Sequence, residues 1–160
     1  MALGDNTLRS AAGNSQRGRN PYMVQTTLNW ATALSDKGGA LAASDVVPVI
    51  AVPKGTMVLN AGIEVDTQTD GSTFTVDLGM VDADVFVDGF DATSAAGVVA
   101  QNPAAYQPVM AVADDNIDVT IATLSGGAVS SGKFRIWAVL MDCTDMGDTA
   151  ADEVDRDALA

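Results

Sequence analysis

Residues 72–80 read STFTVDLGM, in which Phe74, Val76, Leu78 and Met80 alternate with Thr73, Thr75 and Asp77. Successive side chains of a strand point to opposite faces, so this alternation predicts a half-buried β-strand. The same period recurs along the chain. Residues 22–30 place Tyr22, Val24, Thr26, Leu28 and Trp30 on one face, and residues 116–124 do so with Ile117, Val119 and Ile121. Residues 133–142 point Phe134, Ile136, Ala138 and Leu140 one way and Lys133, Arg135 and Trp137 the other, before giving out to Val139 and Met141. A strand apolar on both faces near its end belongs centrally in a sheet or against a neighbouring subunit.

Further β-rich runs fill the intervals. Residues 45–52 carry Pro48, which argues for an edge strand. Residues 56–66 carry Gly62, the expected site of a bulge or bend. Asp70-Gly71 precedes the 72–80 strand as a favourable turn dipeptide and makes this the clearest hairpin candidate. Shorter strands are expected at 97–100 and 106–112. Loops are expected at 35–44 around Gly38-Gly39, in the Asp-rich stretch 82–91, and in the Gly/Ser-rich stretch 125–132. No long segment shows a period of 3.6. About eight short strands, with turn signals roughly every 8–12 residues, predict an all-β, antiparallel β-sandwich or jelly roll.

The flanks differ from this body. Residues 1–21 are polar and rich in Gly, Ser and Asn, and they hold Arg9, Arg17 and Arg19 against a single Asp5. Such a segment buries too little surface to fold alone and is expected to be an extended N-terminal arm, closed by Pro21. Residues 143–160 are acidic and Ala-rich, which predicts a solvated C-terminal tail or, alternatively, a short helix over 149–159. Residues 22–142 then form the domain.

Composition narrows the chemistry. The 160-residue chain carries a net charge of −13 and no histidine. Without His it lacks the commonest general base, metal ligand and near-neutral pH switch. Its acidity argues against nucleic acid or an anionic membrane as partner, since both require a basic footprint. Cys143 is the single cysteine, which excludes an intrachain disulfide and is expected to be a small buried residue. Nothing at the N-terminus reads as a signal peptide, and no apolar run approaches a membrane span, so cytoplasmic synthesis is expected. No G-x-S-x-G, P-loop, dinucleotide fingerprint or CxxC occurs, so the sequence reads as a non-enzyme with no cofactor. The one stretch with metal-ligand character is MVDADVFVDGFDAT, where Asp82, Asp84, Asp88 and Asp91 offer hard oxygen ligands for Ca²⁺. Their spacing departs from an EF-hand loop, and an ordinary Asp/Gly-rich loop is the better reading.

The runs DVVPVIAVPKGTMVLNAGIEV, TDGSTFTVDLGMVDADVFVDGFDAT and DNIDVTIATL, with SGGAVSSGKFRIWAVLMD, resemble capsid decoration, or cement, proteins of tailed bacteriophages, particularly those of cyanobacteria. The resemblance covers residues 22–142 and implies a jelly-roll-like fold. It also implies a homotrimer on the outer capsid surface, bound to the major capsid protein and stabilising the shell. On that reading Arg9, Arg17 and Arg19 would pair with shell carboxylates, and Tyr22 and Trp30 are candidate anchors where arm meets body, core packing being the alternative for Trp30. The competing readings are another virion structural part or a tail-associated receptor- or glycan-binding module. The latter would need exposed loop aromatics, for which Phe86, Phe90 and Tyr106 are the candidates.

Overall fold

The computed structural model describes residues 20–103 and 107–143. Arg9, Arg17, Arg19, Tyr106, nearly all of the arm and almost the whole tail lie outside the described residues. The elements are β1 (Tyr22–Asn29), α1 (Trp30–Lys37), β2 (Val46–Val52), β3 (Thr56–Thr67), β4 (Thr73–Gly79) and β5 (Val87–Asp91), then β6 (Val99–Gln101), β7 (Val109–Met110), β8 (Asp115–Ser125) and β9 (Lys133–Asp142). They build two antiparallel sheets. The first runs β1-β9-β3-β6, with β7 also paired to β3; the second runs β2-β8-β4-β5. The sheets pack face to face as an all-β sandwich, and the inward-facing positions of each strand make its core.

The alternation read from the sequence sets these faces. Phe74, Val76, Leu78, Ile117, Val119 and Ile121 of the second sheet are at most 1 % exposed. They meet Val58, Ile63, Val65, Phe134 and Ile136 of the first. Central β9, flanked by β1 and β3, explains why the last strand is apolar on both faces. Edge strand β2 accommodates Pro48, with a register shift just beyond it, because an edge strand tolerates a missing N–H.

Four expectations are corrected. Residues 30–37 form a helix, so Trp30 leaves the alternation of the preceding strand. Asn29 caps the helix by accepting a hydrogen bond from the Ala31 N–H at 3.0 Å. Gly38, at φ 69°, ends it in the left-handed conformation that a side chain disfavours. The Asp70-Gly71 turn does not make a hairpin: β3 and β4 belong to different sheets, and the chain arches across the core between them. Asp70 instead ties down the loop before β9, accepting hydrogen bonds from the Ser130 N–H, the Ser130 hydroxyl and the Ser131 N–H. The stretch 82–91 is only partly loop, since its last five residues are β5. Finally, the register shifts of β3 fall between Val58 and Asn60 and between Val65 and Thr67, on either side of Gly62.

Gly62 has another reason to be glycine. A Cβ there would lie 2.4 Å from the Trp137 ring and 2.8 Å from the Ala100 carbonyl oxygen. The indole of β9 occupies the space that a side chain on its neighbour would need.

Candidate interaction surface

Cross-strand register assigns the outer face of the first sheet row by row. Met141 of β9 is opposite Met57 of β3, which is opposite Met110 of β7, so three methionines stand side by side. In the next row Met23 of β1 meets Val139, which meets Asn60. Then come Gln25, Trp137 and Gly62, and beyond them Thr27, Arg135 and Glu64. The face therefore grades from apolar at the Cys143 end to charged at the α1 end. Met23 is 63 % exposed and Met110 39 %. At the charged end Arg135 donates to Glu64 at 3.0 Å and reaches Asp66 at 3.4 Å, so its cation is compensated within the face.

The outer face of the second sheet has the opposite character. Asp77 sits opposite Thr120, Thr75 opposite Asp91, and Asp118 between Pro48 and Gly79. Asp77 accepts a hydrogen bond from the Gly89 N–H at 2.7 Å. Burial, with a smaller contribution from the Asp115 charge, raises the Asp118 carboxyl above the usual carboxylate range. A groove of about 430 Å³ lies between α1 and β2, walled by Ala33, Leu41, Val46, Val47 and Pro48 and bordered by the Lys37–Asp45 ion pair. Asp36 also lines it. The pair lowers the Asp45 carboxyl chiefly through the Lys37 hydrogen bond.

The residues singled out in the sequence separate. Tyr22 is 45 % exposed at the start of β1, on the border of the methionine rows. Trp30 is 0 % exposed, so it is core and not a surface anchor. Its ring stands edge-on to Phe74 at 4.9 Å and to Phe134 at 5.6 Å, because the helix turns it inward between the sheets. Of the acidic stretch, Asp82 and Asp84 come together, and the Asp82 carboxyl is raised mainly by its hydrogen bond with Asp84. Asp88 lies apart on β5, and Asp91 accepts hydrogen bonds from the Thr93 N–H and hydroxyl, which lower it. Among the described residues no group of three or more acidic or Cys side chains is placed to hold a metal ion. Phe86 and Phe90 are buried, at 0 % and 6 % exposure, and do not form a stacking platform for a glycan. Among the described residues no helix is long and apolar enough to cross a membrane.

Sequence reasoning missed the methionine rows. Met23, Met57 and Met141 could be placed on outward parity from each strand's own alternation. Their adjacency depends on register between strands far apart in sequence, which no local signal carries.

No protein-family model matches the sequence, and no curated protein matches it. Solved structures do. A chain of the cyanophage Pam1 capsid asymmetric unit aligns with a TM-score of 0.61 at 17 % identity, covering 88 % of this chain and 97 % of that one. A chain of the capsid of Ralstonia phage GP4 aligns at 0.57 with 16 % identity, covering 79 % and 86 %. One from the acidic stable capsid structure of Helicobacter pylori bacteriophage KHP30 aligns at 0.52 with 14 % identity, covering 76 % and 86 %. At these identities the likeness is one of fold: the three chains share this β-sandwich.

Proposed function

We propose that this protein is a structural component of a bacteriophage virion, a decoration or cement protein that binds the outside of the head and stabilises it. The observation that carries the reading is the sandwich shared with chains of three phage capsids, over 97 % of the Pam1 chain. The role is binding, not catalysis: the chain has no histidine to serve as a general base, and the Lys37–Asp45 pair beside the groove between α1 and β2 is closed on itself. The partners are the major capsid protein and further copies of this chain, as a homotrimer whose several weak contacts act together through effective concentration. Arg9, Arg17 and Arg19 add contacts to shell carboxylates, and an acidic body keeps clear of packaged DNA.

Three measurements test this. Virions purified to constant density should contain the chain in many copies by quantitative mass spectrometry, and particles depleted of it should release their DNA at a lower temperature. Absence from purified virions would end the virion reading; an unchanged release temperature would remove the cement role. Light scattering of the free protein should return the mass of a trimer.

A further inference from the structure

We infer that the methionine end of the first sheet's outer face is the surface by which this protein seats on the capsid shell, against an apolar, uncharged protein patch, with the acidic second sheet turned to solvent. The inference rests on the capsid reading above and names the face that reading leaves open.

Four observations converge on that face. Of the five methionines among the described residues, Met23, Met57, Met110 and Met141 stand on it, and Met80 alone is in the core. Methionine is unbranched and polarisable, and it adapts to a partner's relief better than a β-branched side chain. The three rows from Met141 to Trp137, in which Asn60 and Gln25 are the polar members, contain no charged residue, so docking there strands no ion in a dry interface. The compensated Arg135–Glu64–Asp66 cluster forms a polar rim on one side, as interfaces commonly have. The described chain also starts and stops here. Tyr22 opposes Leu140, Thr56 opposes Asp142, and Cys143 follows directly, so the 19 residues before Asn20 and the 17 after Cys143 both leave from this end.

Size decides the occupant. At about 4.8 Å between strands and about 3.3 Å per residue, the three rows cover about 300 Å². A stable pair in solution needs about 800 Å² from each partner. A second copy seated face to face is therefore too weakly held. A shell offers many sites at once, so contacts too weak singly act together to hold a homotrimer on it.

Methionine oxidation by dilute peroxide reads the face directly, because the thioether oxidises at a rate set by its exposure. The full-length chain is probed free, at two concentrations, and bound to shells assembled without it. Met23 and Met110 should oxidise readily in the free protein at both concentrations and become protected about ten-fold or more on shells. Met23→Asp and Met110→Asp should each weaken shell binding about ten-fold or more, whereas Val46→Asp, at an equally exposed site 54 % open on the edge of the other sheet, should not. Circular dichroism and melting of each variant confirm folding. Shell binding with Met23 and Met110 still reactive, or with both aspartate variants binding normally, overturns the inference and spares the capsid reading. Protection in the free protein overturns it too, because the face would then be covered by another copy of the chain or by the chain's own terminal segments. Failure of the wild-type chain to bind shells overturns the capsid reading and this inference with it.

Discussion

Trp30 shows how much one side chain can carry here. It is fully buried, and it joins aromatic residues of both sheets where the sandwich closes near α1. Trp30→Ala should lower stability by about 3–5 kcal/mol in urea denaturation. Trp30→Phe should cost less, about 1–2 kcal/mol, because the buried indole N–H makes no hydrogen bond to any described residue. Asp70 and Asp118 make opposite predictions for acid. Hydrogen bonds from Ser130, first from its hydroxyl and then from its backbone, hold Asp70 down to about 2. Its folded value lies below the unfolded one, so its stabilisation is present above about pH 4 and is lost as pH falls toward 2. Asp70→Asn should lower the melting temperature at pH 7, and the gap to wild type should close across that window. Asp118 is raised by burial, so its ionised form opposes folding. Asp118→Asn should raise the melting temperature at pH 7, with the gain fading in acid as the wild-type carboxyl takes its proton.

At the scale of elements, strands were more legible in the sequence than their partners. Period-2 alternation in β4, β8 and β9 named the buried residues, because one face of each strand is core and the other is not. Pro48 marked the edge. The helix was hidden because Trp30 continues the alternation of β1 by one step, although Asn29 and Gly38 are ordinary capping residues for α1. Asn29→Ala should cost about 1 kcal/mol and Asn29→Asp nearly nothing, measured by thermal unfolding. The β3–β4 arch was misread for a different reason. A turn dipeptide reports a local reversal and cannot say whether the next strand returns to the same sheet. Gly62 belongs to that class too. Its lack of a side chain answers the Trp137 ring 75 residues away in the chain. Gly62→Ala should destabilise by about 1–3 kcal/mol and shift Trp137 fluorescence, since the ring must leave its seat.

For the whole molecule, the two outer faces give the sandwich a direction. One carries adjacent methionines, with the first and last described residues, Asn20 and Cys143, at the same end of the sheet; the other carries Asp77 and Asp118 on strands with alternating threonines and Asp91 on β5. In the proposed role, a protein of net charge −13 would be kept in solution by the second face and held on the shell by the first. The absence of histidine and of nucleophile motifs could be read from the sequence, while the placement of the apolar rows needed the fold. The most direct measurement is a cryo-electron reconstruction of phage particles produced together with this chain. The account predicts density for the sandwich on the outer surface of the head, with β9 and its methionine rows toward the shell and β8 toward solvent. Sandwich density confined to the tail or the capsid interior, or seated with the β8 face against the shell, would contradict it.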